Sequence, residues 1–166
     1  MSVKTQSISF QTLPETLAQM QALPEASLDT PVKTAALAVC ALCAYGRNPA
    51  AGKDMLNWLR GPRPLSNYDI SFLNDRFRDG KHVPFSYFAG AVPENDYTPS
   101  VPFTVTIEEG PYADANPGYK KLHIRSGGAD NPREIVLRQK GDGQWCLWEQ
   151  FLMVGIRTRK SDDPWA

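Results

Sequence analysis

Apolar residues recur at helical spacing through the first half of the chain. Within residues 31–46 they cover almost every side of the predicted helix, which indicates a buried, central helix. Thr30 precedes this helix as an N-cap, Pro31 takes its first position and Gly46 ends it. Shorter amphipathic helices are predicted at residues 13–23, 49–60 and 66–79. For the first of these, Thr12 is the expected N-cap.

From residue 84 onward the pattern changes to alternating apolar and polar positions, interrupted by prolines and glycines. This alternation is typical of strands that are buried on one face. Strands are predicted at residues 85–88, 103–108, 119–125, 133–140, 144–149 and 152–157. Gly141-Asp142-Gly143 lies between two of these segments and predicts a tight hairpin turn.

The order of elements predicts the fold class. About four helices followed by about five hairpin-connected strands indicate an α+β fold, in which an N-terminal helical bundle packs on a C-terminal, mostly antiparallel sheet. We expect a single domain spanning residues 1–166, with a helical half at 1–83 and a sheet half at 84–166. A doubly wound parallel sheet would require strands and helices to alternate, and they do not.

Charge and composition exclude several classes of protein. The chain has 18 basic and 18 acidic side chains and is 42% apolar, which is unlike a disordered chain. We expect no nucleic-acid partner, because such proteins usually carry a basic surplus. Residues 35–45 form the longest apolar run, and a membrane-spanning helix needs about 20 residues. No membrane association is therefore expected.

The three cysteines are expected to be structural. Cys40 and Cys43 form a C-x-x-C pair inside the apolar run, with no second pair to complete a zinc site. A redox pair would require an exposed helix start, so we interpret both as core residues. Cys146 leaves the count odd, which does not suggest a disulfide framework. Together with a start that lacks a secretory-type apolar stretch, this predicts a reduced, cytoplasmic protein.

Few residues suggest catalysis. His82 and His123 are the only histidines, and neither has a nearby residue at metal-ligand spacing. The loop at residues 126–130 offers backbone amides for an anion, but a strand is predicted to follow it, whereas phosphate loops open a helix. We therefore assign no catalytic residue, metal ligand or cofactor.

Tryptophans are the more informative residues. Trp145 and Trp148 are three positions apart on a strand, so one should face the helices and the other the outer face of the sheet. Trp165 follows Asp162-Asp163-Pro164 near the end of the sequence. Because a tryptophan is costly to leave in water, we expect Trp165 to fold back onto its own domain or to reach a neighbouring subunit.

Two segments carry a family resemblance. Residues 84–100, PFSYFAGAVPENDYTPS, and residues 144–157, QWCLWEQFLMVGIR, resemble a family of uncharacterised bacterial proteins from Firmicutes, a domain of unknown function. The closing Asp163-Pro164-Trp165-Ala166 fits the same pattern. The resemblance covers nearly the whole chain but implies no activity, cofactor or catalytic residue.

The favoured hypothesis is a non-enzymatic, cytoplasmic binding or interaction domain, whose partner is a second copy of itself or another protein. Its predicted contact surface combines the loop at residues 93–99 with the outer face of the sheet, through Asn95, Tyr97, Trp148 and Arg157. These residues are chosen by type, because aromatic and arginine side chains dominate interface energies.

The alternative is a small α+β enzyme or small-ligand binder with a pocket between the helices and the sheet. Acid–base groups such as Glu149 or His123 would then be drawn inward. An open cavity of several hundred Å³ lined by convergent polar groups would favour this alternative, whereas a closed, dry interface between helices and sheet would favour the binding domain.

Overall fold

The computed structural model describes residues 3–166 and confirms the predicted α+β class, with four helices and a five-stranded sheet. The helices are α1 (Leu17–Gln21), α2 (Pro31–Arg47), α3 (Pro49–Arg60) and α4 (Asn67–Phe77). The strands are β1 (Lys4–Phe10), β2 (Phe103–Glu109), β3 (Tyr119–Ile124), β4 (Arg133–Gln139) and β5 (Trp145–Gln150). Short 3₁₀ turns lie at Pro24–Ser27, Val83–Tyr87, Pro93–Asn95 and Lys160–Asp162.

The sheet has the order β1-β2-β3-β4-β5, and every neighbouring pair is antiparallel. Strands β1 and β5 therefore form its two edges. The predicted hairpin at Gly141-Asp142-Gly143 joins β4 to β5, and Gly143 has the positive φ of 90° that this turn requires.

Helix α2 is the centre of the molecule, as its sequence predicts. Thirteen of its seventeen residues are buried, including Cys40 and Cys43. The fully buried Thr34 donates its hydroxyl hydrogen to the backbone carbonyl of Trp145 at 2.8 Å, which ties α2 to β5. The inner face of the sheet completes the core through buried aliphatic side chains from four strands: Val105, Ile107, Leu122, Ile124, Ile135, Leu137 and Leu147.

Strand β1 was not predicted from the sequence. Most residues of this strand are polar. Only Phe10 is buried, and Ile8 is partly buried. The strand pairs with β2 over its whole length, from Lys4 opposite Glu109 to Phe10 opposite Phe103. Cross-strand pairing rather than a continuous apolar pattern therefore holds it on the sheet.

The first helix begins later than predicted. Thr16, not Thr12, is its N-cap, and the Thr16 hydroxyl accepts a hydrogen bond from the amide of Gln19 at 3.1 Å. Helix α1 is consequently a single short turn with one buried residue, Met20.

Two predicted strands were wrong. Residues 85–88 lie largely in the 3₁₀ turn Val83–Tyr87, after which Phe88 makes only an isolated bridge to Val105. Residues 152–155 form turns and bends instead of a strand, and residues 156–157 have no regular structure. The guanidinium of Arg133 holds them by donating to the carbonyls of Val154 at 3.0 Å and Gly155 at 2.6 Å.

A β-bulge interrupts the pairing of β4 with β5. Leu137 lies opposite Leu147, but the preceding residue, Val136, lies opposite Glu149, so Trp148 is the extra residue on β5. Bulges re-aim side chains at sheet edges. Here the bulge places the Trp148 ring at the outer edge of the sheet, while Trp145 packs against the core.

Candidate functional site

A groove of about 570 Å³ lies where the segment between α3 and α4 meets the β4–β5 hairpin. One wall comes from the end of α3 and the following loop, and the other from the hairpin and the edge strand β5. The lining residues are Arg60, Pro62, Arg63, Arg138, Gln139, Lys140, Gly141, Cys146, Leu147 and Trp148. Four of them are basic and none is acidic.

The α3–α4 loop is fixed by its own backbone and by side chains of α3. Gly61 has a φ of 63°, and a Cβ atom at this position would lie 2.7 Å from the Cys146 sulfur. The Arg60 Nε donates to the carbonyl of Arg63 at 2.9 Å, and the Asn57 side chain accepts from the amide of Leu65 at 2.8 Å. The loop therefore packs closely on β5 and presents Arg63 to its edge.

Arg63 is held against Trp148. Its Nη2 donates to the backbone carbonyl of Trp148, and its guanidinium carbon lies 3.8 Å from the centroid of the Trp148 ring. Its Nε is buried and has no hydrogen-bond partner within residues 3–166. An unpartnered buried donor is costly, so this atom has hydrogen-bonding capacity that the protein itself does not use.

Arg138 approaches the same tryptophan from β4. Its guanidinium carbon lies 4.8 Å from the centroid of the Trp148 ring and 5.2 Å from that of Tyr119, and the two rings meet edge-to-face at 5.4 Å. The side chain is exposed, and across residues 3–166 it makes neither a side-chain hydrogen bond nor an ion pair. All of its donors are therefore available.

The other two cations of the groove already have anionic partners. Arg60 lies 3.3 Å from Asp69, and Lys140 lies 3.4 Å from Asp142. Burial lowers the pKa of Arg60, and the nearby charge of Arg63 lowers it further, against the opposing effect of Asp69. For the part of the chain that the structure describes, Arg63 and Arg138 are thus the groove cations without a carboxylate partner.

Cys146 is the nucleophilic side chain in the groove lining. It is only 6% exposed, and burial raises the pKa of its thiol above the usual value. A protonated, buried thiol is a weak nucleophile. Cys146 is therefore a weak nucleophile in this position.

The predicted contact surface is brought together only in part. Asn95, Tyr97 and Arg157 do lie close to one another, since the Tyr97 hydroxyl donates to the Arg157 carbonyl at 2.6 Å. Trp148 has different neighbours, namely Arg63, Arg138 and Tyr119.

Tyr97, which was predicted to form part of the contact surface, is buried. Tyr97 is 3% exposed and stacks on His82, with ring centroids 5.3 Å apart. Its φ of 57° turns the chain sharply at this point and directs the ring inward. A buried tyrosine of this kind closes a loop and offers little to a partner.

Asn95 and Arg157 are exposed, but their side chains are already in use. The side-chain oxygen of Asn95, Oδ1, accepts hydrogen bonds from the backbone amides of Val92 at 3.0 Å and Thr98 at 3.1 Å. The Asn95 side chain therefore stabilises its own turn. The Arg157 guanidinium pairs with Asp130 at 3.0 Å. Their role in binding stays a prediction.

The alternative hypothesis expected His123 or Glu149 to be drawn inward, and neither is. Both lie on the outer side of the sheet, where Glu149 is exposed and His123 is half-buried opposite Glu108 and Glu134. Between α2 and the sheet the core residues are almost completely buried. The groove, by contrast, opens at the edge of the sheet, between the α3–α4 loop and the β4–β5 hairpin.

Trp165 does not fold back onto its own domain. Its side chain is 93% exposed, so that part of the prediction was wrong. A contact with a neighbouring subunit stays a prediction.

In the loop at residues 126–130, which was considered as an anion site, two backbone amides form hydrogen bonds within the protein. The amide of Gly127 donates to the Ser86 carbonyl at 2.8 Å, and that of Gly128 donates to the Ser126 hydroxyl at 3.1 Å. These two donors are not free to hold an anion.

Sequence reasoning missed Arg63 and Arg138, which the fold brings to one ring from distant positions. A signal existed, because Arg138 near the end of β4 and Lys140 just after it flank a hairpin whose other strand carries Trp148. Nothing in the sequence, however, points to Arg63. Within residues 3–166, no cluster of three or more potential metal ligands occurs, and no helix is long and apolar enough to cross a membrane.

Comparison with known proteins identifies a family. Residues 12–160 match a family described as a domain of unknown function, DUF6935. No curated protein and no solved structure matches the chain.

Proposed function

The chain belongs to the DUF6935 family, whose function is unknown, and we propose that it is a non-enzymatic binding domain whose ligand site is the groove at the edge of the sheet. The ligand carries negative charge. The observation that supports this most directly is the pair of guanidinium groups, Arg63 and Arg138, that lie against Trp148 without a carboxylate partner.

The groove differs in charge from the rest of the molecule. The chain as a whole is neutral, with 18 basic and 18 acidic side chains. In the groove, two of four cations are neutralised by Asp69 and Asp142, which leaves an excess of two positive charges in about 570 Å³. Clefts lined by one sign of charge concentrate ligands of the opposite sign.

The chemistry of the lining supports binding over catalysis. The lining contains no carboxylate or imidazole to act as an acid or base, and the thiol of Cys146 is buried. Efficient proton transfer requires an acid–base side chain within hydrogen-bond reach of the substrate, and the lysine of the lining, Lys140, is paired with Asp142 at 3.4 Å. A binding domain requires only the charge, the shape and the apolar wall that the groove provides.

Origin and location complete the proposal. We propose a bacterial, cytoplasmic protein in which residues 1–166 form one domain. The resemblance to bacterial proteins supports the origin, and three free, buried cysteines are typical of a reducing compartment. One continuous core that includes residues from both halves of the chain supports the single domain.

The proposal is tested by NMR titration of ¹⁵N-labelled protein with a panel of small anionic, cationic and neutral compounds. We expect only anions to shift the Trp148 indole and Arg63 Nε signals, with an effect that weakens as salt is added. The Trp58 indole, which belongs to α3 but does not line the groove, is the internal control. Shifts at Trp148 with neutral or cationic compounds, or no shift with any anion, would contradict the proposal.

A further inference from the structure

The edge strand β5 is covered by other parts of the protein. The backbone amide of Trp145 donates to the carbonyl of Leu28 at 2.8 Å, and the carbonyl of Trp145 accepts from the Thr34 hydroxyl at 2.8 Å. The carbonyl of Trp148 accepts from Arg63, and the bulge at Trp148 interrupts the regular spacing of the strand. Proteins use coverage and bulges of this kind to prevent a sheet edge from pairing with another chain. This edge is therefore closed to a further strand.

The other edge strand, β1, lacks these protections among the described residues. Within residues 3–166, the backbone of Lys4–Phe10 makes no backbone hydrogen bond outside its pairing with β2. In an antiparallel pair, every second residue of an edge strand directs its amide and carbonyl away from the neighbouring strand. The strand contains no proline or glycine, its pairing with β2 has no register shift, and its only charged residue is Lys4, at one end. Strand β1 therefore presents an open row of donors and acceptors.

We propose that β1 is a dimerisation edge, at which two copies of the chain pair their β1 strands antiparallel around a two-fold axis at Ser7. The pairing joins the two five-stranded sheets into one continuous sheet. Strand β1 is at the opposite edge of the sheet from the groove, so this inference goes beyond the proposed function and does not depend on it.

The side chains of β1 favour a second copy as the partner. With the axis at Ser7, this residue lies opposite the partner's Ser7, and Thr5 lies opposite the partner's Ser9. Hydroxyl side chains already pair in this way between β1 and β2. The hydroxyl oxygens of Ser9 and Thr104 lie 2.8 Å apart, and Ser7 lies opposite Thr106 with its hydroxyl oxygen 3.4 Å away. Cross-strand pairs of serine and threonine stabilise a sheet, and the dimer continues them across the junction.

Charge and strand length favour this register. Like charges placed directly opposite each other destabilise a strand pair. With the axis at Ser7, Lys4 lies opposite the partner's Phe10 and about 20 Å from the partner's Lys4, because a strand rises about 3.4 Å per residue. All seven residues of β1 are then paired, whereas any other two-fold register leaves part of the strand unpaired. A strand of unrelated sequence would meet the same open backbone without this match of side chains.

Exchange of charge at the axis tests the pairing by light scattering over a range of protein concentrations. We expect the mass of the wild type to rise with concentration above that of one chain, with the weak affinity of a small interface. Ser7→Lys and Ser7→Glu should each raise the dissociation constant at least about fivefold, because like charges then face each other. An equimolar mixture of the two variants should recover the association, since opposite charges then meet. Ser71→Lys, at an exposed position of α4, is the matched control and should associate as the wild type does.

Disulfide trapping gives a second measurement that introduces no charge into β1. Directly opposite Cα atoms in an antiparallel pair are about 4.5–5.5 Å apart, which is within the range that a disulfide spans. Because Cys40, Cys43 and Cys146 are buried, an introduced surface cysteine is the accessible thiol among the described residues. Ser7→Cys should form a disulfide-linked dimer when diamide oxidises the two thiols. Ser71→Cys should remain monomeric over the same time.

Four results would overturn the proposal. They are a wild type that keeps the mass of one chain at every concentration, equal effects of Ser7→Lys and Ser71→Lys, a mixture of the charge variants that associates no more than either alone, and a Ser7→Cys protein that diamide does not cross-link. Trp165 is unchanged in every variant, so it does not account for a difference between them. None of these results bears on the anion titration that tests the groove.

Discussion

At the scale of single residues, Gly61 determines how closely the α3–α4 loop approaches β5. Its backbone has a φ of 63° and a ψ of −122°, a region that glycine adopts far more readily than other residues. A Cβ would also lie 2.7 Å from the sulfur of Cys146. Two independent causes therefore make any side chain unfavourable at this position.

Gly61→Ala is expected to lower the free energy of unfolding by about 1–3 kcal/mol, as measured by urea denaturation. The matched control is Gly141→Ala at the other wall of the groove, where no atom lies within 4 Å of the added Cβ and φ is not positive. It should change stability by less than about 0.5 kcal/mol. Equal effects of the two substitutions would show that the close approach of the loop does not matter.

Residue type alone did not decide which candidate residues face a partner. Tyr97 and Trp148 are both large aromatic residues, yet Tyr97 is buried and Trp148 lies half-exposed against two arginines. The difference comes from a left-handed turn at Tyr97 and from a bulge at Trp148. Both are set by the surrounding fold and are not visible in local hydrophobic pattern.

At the scale of elements, the helix starts that carry strong capping signals are predicted well. Thr30 caps α2, with Pro31 in the first position, and Ser66 with Asp69 forms the capping box of α4. Elements with weak local signals were missed or misplaced. Strand β1 is mostly polar, and the apolar residues at 152–153 are buried in a turn stabilised by Arg133, a residue distant in sequence.

Asp69 links the start of α4 to the groove and gives the stability of the protein a defined pH dependence. Burial raises the pKa of its carboxyl, but hydrogen bonds from Ser66 and the charges of Arg60 and Arg63 outweigh burial and hold the pKa below the usual 3.8. A group whose pKa is lowered by folding contributes stability above its unfolded-state pKa, and the contribution is lost as the pH falls through the folded-state pKa.

Asp69→Asn should therefore destabilise the protein by about 1 kcal/mol near neutral pH. The gap to the wild type should begin to close as the pH falls below the ordinary value of 3.8. Urea denaturation at about pH 7 and about pH 3 measures both values. The control is Asp75→Asn on the same helix, whose carboxylate is 65% exposed in a surface pair with Arg78 and should contribute under about 0.5 kcal/mol. A gap that widened in acid would contradict this role.

At the scale of the whole molecule, the sequence predicted the fold class and the central helix but not the site. Helix α2 is apolar on nearly all sides, so its burial follows from its own residues. The groove, in contrast, joins Arg63, Arg138 and Trp148 across an edge whose position depends on strand order and on the bulge in β5. One sequence without its fold does not indicate such long-range juxtapositions.

Trp165 bears on whether the protein assembles with copies of itself. A tryptophan that is 93% exposed makes little contact within its own chain, so Trp165→Ser should leave the melting temperature of the dilute protein within about 1 °C of the wild type. Burying an indole against a second copy would instead remove about 150–250 Å² from water, which at about 25 cal/mol/Å² favours association by several kcal/mol.

We therefore expect light scattering to show a molar mass that rises with concentration for the wild type, and a lower mass at each concentration for Trp165→Ser. Tyr112→Ser is the matched control, because Tyr112 is another exposed aromatic residue, 72% accessible, that lies in a turn on the sheet half. It should associate as the wild type does. Identical masses for the wild type and Trp165→Ser at every concentration would mean that Trp165 does not mediate self-association.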